Sequence, residues 1–108
     1  GGITIPMDED RMKIKPQARI LKAEDALVQE LEHEAVLLNL ENNQYYRLDE
    51  DSLRMFQVLT SSASLAEAQA RLLGEYDVPA EALLQDLVDF VSELARAGLV
   101  RVVDEPLE

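Results

Sequence analysis

The residue types that catalysis or metal binding would require are almost absent from this chain. It contains one histidine, His33, and no cysteine. A zinc site or a hydrolytic triad needs several nitrogen or sulfur groups held together, which this sequence cannot supply. The acidic clusters at residues 8–10 and 49–51 lack the D-x-D-x-D-G spacing of a calcium loop, and no glycine-rich phosphate loop occurs. We therefore expect a non-enzymatic protein without metal or cofactor, with His33 at its surface.

The overall charge favours basic partners over acidic ones. The 108 residues include 22 acidic and 10 basic side chains, which gives a formal net charge of −12. Such a field repels phosphate backbones, so nucleic acid is not an expected partner. No apolar run approaches the roughly 20 residues that a membrane span needs, and no signal-peptide pattern is present. Together with the absence of cysteine, these features predict a cytoplasmic protein that binds no membrane.

The chain length fits one domain, which we place at residues 13–104. Residues 1–12 mix glycine, proline and charges without periodicity, and we predict a flexible tail there. Its residues could derive from the expression vector and not from the natural gene. Residues 105–108 are predicted to form a second tail. Five of the ten basic residues lie between Arg11 and Lys22, where the simplest interpretation is a solvated arm.

Two neighbouring segments predict a β-hairpin. Residues 34–40 are rich in aliphatic side chains, residues 44–48 contain a tyrosine pair, and residues 41–43 between them are turn formers. Two weaker strand signals occur within residues 20–28. The β-branched run at residues 99–103 predicts one closing strand.

The second half of the hairpin is the candidate for contacting a partner, because an exposed edge strand can accept an added strand. Alternation places Tyr46 and Leu48 on one face and Tyr45 and Arg47 on the other. Both tyrosines are also ordinary strand formers, one in the core and one covering the sheet. The same edge could instead pair with a second copy of the chain, which would make the protein a dimerisation module.

Three helices are predicted after the hairpin. The first is capped within residues 49–52 and ends near Thr60. The second begins at the S-x-x-E motif of residues 64–67 and runs to about Tyr76. The third spans about residues 79–97, with a proline in its first turn and a glycine directly after it.

The third helix has an unusually wide apolar surface. At 100° per residue its apolar side chains cover about 160°, against the roughly 100° that contact with one core requires. One flank is therefore available to line a groove, unless the hairpin and the first helix bury both flanks. These apolar residues are Leu83, Leu84, Leu87, Val88, Phe90, Val91, Leu94 and Ala95.

Six stretches of sequence, taken in order, resemble the PqqD-like family. They are A-V-L-L-N-L at residues 35–40, N-Q-Y-Y-R-L-D at 43–49, M-F-Q-V-L at 55–59, and residues 72–78, 86–94 and 98–100. Each motif is loose by itself, and their order and spacing carry the resemblance. It covers residues 17–103.

The resemblance implies an α+β winged helix-turn-helix, with an N-terminal three-stranded antiparallel sheet followed by three helices. It also implies a RiPP recognition element, which binds the leader of a ribosomally made precursor peptide as an added strand between its third strand and third helix. The third strand is then residues 44–48. The implied leader-peptide-binding residues are Gln44, Tyr45, Tyr46, Arg47, Leu48, Leu83, Leu87 and Phe90.

The run Y-Y-R-L-D at residues 45–49 is more similar to the stand-alone members of lasso-peptide pathways. For those members the resemblance implies delivery of the precursor to a leader peptidase and a cyclase. The alternative is a chaperone that presents the precursor to a radical SAM enzyme in pyrroloquinoline quinone biosynthesis. A homodimer remains open in either case.

A winged helix-turn-helix also raises the hypothesis of a DNA-binding regulator. The third helix of that fold often enters the major groove, where its basic residues contact phosphates. Residues 77–95 contain no lysine or arginine and five carboxylates. This composition disfavours DNA binding.

Overall fold

The computed structural model of the protein describes residues 14–103, and the tails predicted at residues 1–12 and 105–108 lie outside this stretch. The described residues form a mixed α+β fold with antiparallel sheets and three helices, which confirms the predicted class. In chain order the elements are β1 (Arg19–Lys22), β2 (Ala26–Glu30), β3 (Ala35–Asn39), β4 (Gln44–Leu48), α1 (Glu50–Ser61), α2 (Leu65–Leu73), α3 (Ala80–Arg96) and β5 (Val100–Val103).

The strands form two sheets rather than one three-stranded sheet alone. β2, β3 and β4 lie side by side in that order and include the predicted hairpin, whereas β1 pairs with the closing strand β5. The two weak strand signals within residues 20–28 therefore belong to different sheets. A turn separates them, in which the Ala26 N–H donates to the Ala23 carbonyl at 3.1 Å. The Ala23 N–H in turn donates to the Leu99 carbonyl at 3.0 Å, which fixes β1 beside β5.

The three-stranded sheet packs one face on the core. Ala35, Leu37 and Leu48 are at most 1% exposed on that face, as the alternation along β3 and β4 requires. The β3–β4 turn ends at Asn43, whose φ of 62° lies in the left-handed region that asparagine tolerates better than most residues. The hairpin is thus specified by local sequence.

The first two helices begin at side-chain caps. Asp49 accepts a hydrogen bond from the Ser52 N–H at 2.8 Å, and Ser64 accepts one from the Glu67 N–H at 3.1 Å. The Glu67 carboxylate in turn accepts from the Ala63 N–H at 2.6 Å, one residue before the cap. Helix α2 ends three residues earlier than predicted, because the chain turns at Gly74.

Helix α3 lies against the core along its whole apolar arc. Leu83, Leu87, Phe90, Val91 and Leu94 are buried, and the remaining apolar residues of the arc are partly buried against the same core. The structure therefore favours the alternative in which both flanks of this helix are largely covered.

The end of α3 is tied to the hairpin by one buried asparagine. Asn39, which is 5% exposed, donates from Nδ2 to the Ala97 carbonyl at 2.9 Å and accepts from the Glu41 N–H at 2.8 Å. Gly98 follows with a φ of 76°, and a Cβ at this position would lie 2.7 Å from the Asn39 Nδ2. The tight approach of the hairpin to the helix end therefore depends on glycine.

Candidate functional site

Strand β4 lies at the edge of its sheet. The hydrogen-bond pattern shows which of its backbone groups do not bond to β3. The Leu31 N–H donates to the Glu34 carbonyl at 2.7 Å, and the Leu40 N–H donates to the Asp25 carbonyl at 2.8 Å. Alternate residues of an antiparallel strand direct both backbone groups to the same neighbour. The even-numbered residues of β3 therefore bond to β2, and its odd-numbered residues bond to β4.

The odd-numbered residues of β3 face the even-numbered residues of β4. Leu37 is opposite Tyr46, and Ala35 is opposite Leu48. The backbone N–H and C=O groups of Tyr45 and Arg47 consequently point away from the sheet. No strand within residues 14–103 pairs with this edge. Such an edge is a ready template for an added strand.

A cleft of about 420 Å³ lies where the inner face of β4 meets α3. Tyr46 and Leu48 come from the strand, while Phe90 and Glu93 lie one turn apart on the helix. Leu48 and Phe90 are 1% and 8% exposed, so they form the apolar floor. The full lining is Glu34, Tyr46, Arg47, Leu48, Asp49, Ser52, Phe90 and Glu93.

The cleft has a negative electrostatic character. Burial, the hydrogen bond to Glu93 and the negative charge of that carboxylate, in this order of size, together raise the pKa of Tyr46 to about 12. Glu34 accepts a hydrogen bond from Arg47 at 2.5 Å, which raises the arginine pKa. The Ser52 hydrogen bonds lower the pKa of Asp49, which keeps that carboxylate charged. Three carboxylates thus face one guanidinium.

The structure brings only part of the predicted set of site residues to this cleft. Tyr46, Arg47, Leu48 and Phe90 line it. Leu83 and Leu87, at 5% and 0% exposure, lie in the core further towards the start of α3. Gln44 is exposed at the beginning of β4, and the 69% exposed Tyr45 lies on the opposite face of the sheet.

The polar residues of the cleft are not among the predicted leader-peptide-binding residues, apart from Tyr46 and Arg47. Glu93 is three residues after Phe90, a spacing that places both on one helix face, so this signal was available. Glu34 and Ser52 are contributed by a turn and by α1, and no local pattern relates them to α3. No group of potential metal ligands occurs within residues 14–103, and no helix there has the length and apolar character to cross a bilayer.

The outer face of the three-stranded sheet is a second open surface. Cross-strand pairing aligns Leu27, Leu38 and Tyr45 in one row. Leu27 is 54% exposed, and a shallow depression of about 560 Å³ lies over this face. The neighbouring row ends at Arg47, which therefore borders both the depression and the cleft.

Comparison with protein families settles what kind of chain this is. The family model described as "PqqD: Coenzyme PQQ synthesis protein D" matches residues 34–100, which include β3, β4, all three helices and the start of β5. The chain belongs to the PqqD family. The resemblance seen in the sequence is thereby confirmed. No curated protein matches this PqqD-family chain significantly.

Two solved structures are similar to this PqqD-family chain. One is TbiB1 in complex with the TbiA(beta) leader peptide, which is 26% identical, with a TM-score of 0.70 over 75% of this chain and 94% of that one. The other is a lasso peptide synthetase B1 complexed with the leader peptide, which is 22% identical, with a TM-score of 0.68 over 79% of this chain and 98% of that one. At 22% identity, the similarity to the second structure shows a shared fold and no more.

The Tyr46–Glu93 contact of this PqqD-family chain can be tested by titration. The chain has three tyrosines and no tryptophan, so tyrosinate absorbance is readily followed. We expect a final step near pH 12, which Tyr46→Phe removes and Glu93→Gln moves to lower pH. Because the folded pKa lies above the ordinary value of 10.0, the stability from this group is complete below pH 10 and is lost as the pH rises towards 12. A final step that persists in Tyr46→Phe contradicts the assignment.

Proposed function

We propose that this PqqD-family protein is a non-catalytic RiPP recognition element. In this proposal it takes the leader segment of a ribosomally made precursor peptide as an added strand on β4, against α3. The observation that carries the proposal is the unpaired edge of β4 beside an apolar-floored cleft. The 26% identical TbiB1 structure, which holds a leader peptide, supports it.

Backbone groups supply the first part of the binding. The N–H and C=O groups of Tyr45 and Arg47 offer hydrogen bonds that any extended peptide can satisfy, whatever its sequence. These bonds align the added strand with β4, while its side-chain pattern sets the register. Affinity from the backbone alone is modest, because each hydrogen bond replaces one to water.

Side-chain contacts supply the selectivity. Alternate side chains of an added strand point to opposite faces of the sheet. One set enters the cleft, where Leu48 and Phe90 favour an apolar residue and the carboxylate of Glu93 favours a lysine or arginine nearby. The other set extends the outer face beside Tyr45. The leader that fits best therefore combines apolar residues with at least one cation.

We further propose that the pathway makes a lasso peptide and that the protein presents the precursor to a leader peptidase and a cyclase in the cytoplasm. The two similar structures, TbiB1 and lasso peptide synthetase B1, support this assignment. The alternative is presentation to a radical SAM enzyme, in line with the description of the family model. We assign α2 and α3 as the helix-turn-helix, with the β1–β5 sheet as its wing.

The proposed function is tested with a synthetic leader of about 15 to 20 residues, taken from a precursor gene identified in the neighbourhood of the gene for this chain or, without one, from the TbiA(beta) leader. Calorimetry is expected to give a dissociation constant below about 1 µM, the range for an edge strand reinforced by apolar pockets. A scrambled leader of the same composition is the control. Equal heats for both peptides, or none, would falsify selective recognition of the leader.

Sedimentation of the same samples separates the peptide from a second copy of the chain. We expect a monomer with and without leader. A dimer that dissociates when the leader is added would show that two copies pair through the β4 edge. A dimer that persists in the complex would place self-association on another surface.

A further inference from the structure

The basic residues of this protein are segregated along the sequence. Residues 11–23 contain five basic side chains and no carboxylate, and residues 94–103 contain two basic side chains and no carboxylate. The intervening residues 24–93 contain sixteen of the 22 carboxylates but only three arginines. Seven of the ten basic residues thus lie in two short segments near opposite ends of the chain.

The fold joins these two segments. β1 comes from the first and β5 from the second, and they pair so that Arg19 is opposite Val103 and Leu21 is opposite Arg101. We call β1 and β5 together the basic sheet. Its inner face is buried through Ile20 and Val100, at 2% and 4% exposure. Its outer face alternates charge and apolar surface, because directly opposite residues share a face.

The three arginines of residues 24–93 all have partners within the protein. Arg47 pairs with Glu34, and Arg54 donates to both carboxylate oxygens of Glu75. Arg71 donates to the hydroxyls of Ser61 and Ser62 at 3.1 and 2.8 Å. These arginines are occupied in holding the fold together.

The basic sheet differs in this respect. Within residues 14–103, neither Arg19 nor Arg101 has a carboxylate within ion-pair distance. Lys22 donates to the carbonyls of Ala23 and Ala26, which leaves its positive charge without a counter-ion there. Cations that have no carboxylate partner among the described residues are available to an external anion.

We propose that the outer face of the basic sheet docks an acidic segment of a partner polypeptide. Arg19 and Arg101 stand at diagonal positions, with half-buried Leu21 and Val103 completing the square. Carboxylates interleaved with apolar side chains match this pattern, whereas a phosphate backbone leaves Leu21 and Val103 without contacts. The carboxylates of residues 24–93 also repel any polyanion longer than the sheet.

This surface is a second site, opposite in charge to the cleft beside β4. The cleft favours a cationic peptide, and the basic sheet favours an anionic one. A leader and an acidic partner segment therefore do not compete, and the protein can hold both. The inference goes beyond leader binding and does not require it.

The test uses the peptide (Glu-Ser-Leu-Ser)3. As an extended strand, this peptide presents alternating glutamate and leucine on one face, which matches the alternation of arginine and apolar residues on the outer face of the basic sheet. The matched probe is (Gln-Ser-Leu-Ser)3, and a single-stranded DNA of the same length represents nucleic acid. Fluorescence anisotropy at about 50 mM salt is expected to give about tenfold tighter binding of the glutamate peptide than of the glutamine peptide. Raising the salt to about 200 mM should reduce this preference.

The variant Arg19→Gln/Arg101→Gln is expected to lose the preference. Its control, Ala70→Glu/Ala82→Glu, changes the net charge equally at exposed helix positions and should keep the preference within about threefold. Arg101→Gln alone, on the short strand β5, serves if the double variant does not fold. Leader binding, measured in the same samples, should be unchanged. Loss of acidic-peptide binding and loss of leader binding can therefore be distinguished.

Three outcomes overturn the proposal. The first is that the two peptides bind alike. The second is that the control variant loses as much preference as the arginine variant, and the third is that the DNA binds more tightly than the glutamate peptide. The second outcome points to the general field of the protein, and the third to a nucleic-acid surface.

Discussion

The variant Tyr45→Pro/Arg47→Pro is expected to bind the leader about 30-fold or more weakly than the natural protein while keeping its fold. Proline removes the backbone N–H, and these two N–H groups point to the free edge of β4. Two hydrogen bonds at about 1 kcal/mol each correspond to that factor, and the pyrrolidine rings add steric hindrance. The bonds from β4 to β3 use the even-numbered residues and stay intact.

The matched control is Tyr45→Ala/Arg47→Ala, which removes the same side chains but keeps both N–H groups. Calorimetry should give a much smaller loss for this variant. Circular dichroism and thermal melting should place both variants near the natural protein, since proline is tolerated where an edge-strand N–H faces solvent. If the alanine variant loses as much affinity as the proline variant, side chains dominate and strand addition is wrong.

The second large effect concerns stability, and it is expected at Gly98. Gly98→Ala should destabilise the fold by about 2–4 kcal/mol, because alanine disfavours a positive φ and its Cβ would contact the Asn39 Nδ2. For a domain of this size the melting temperature should fall by roughly 10 °C or more.

Gly74→Ala is the control for this change. Gly74 has a φ of −77°, and its Cβ would meet only the Arg71 carbonyl, at 3.4 Å. Alanine there should be neutral or stabilise by up to about 1 kcal/mol, since it restricts the unfolded chain. Thermal melting of both variants checks the contrast. Equal melting temperatures would mean that the hairpin does not depend on its close approach to the end of α3.

Features set by neighbouring residues could be predicted from the sequence. The cap at Ser64, the β3–β4 hairpin and the two faces of β4 follow from contacts between residues that are close in the chain. The alternation separated Tyr45 from Tyr46 correctly. It could not tell which tyrosine faces α3, because that depends on packing between elements some 45 residues apart.

Long-range pairing was the part that the sequence did not reveal. β1 and β5 are separated by about 80 residues, and each is a short run whose partner no periodicity identifies. The polar lining of the cleft has the same origin, since Glu34 and Glu93 come from distant elements. The wide apolar arc of α3 predicted a groove-lining flank, yet most of that arc serves the core, because a small domain has few other residues to bury.

Within residues 14–103, the molecule carries positive charge at the basic sheet and a net negative charge in residues 24–93. A charged partner that diffuses towards it experiences a torque before any contact forms, so encounters are oriented rather than random. Electrostatic orientation of this kind raises association rates more than it slows dissociation, and it weakens as salt is added. The position of a few arginines near the two ends of the sequence therefore affects how fast charged partners associate and from which side they approach.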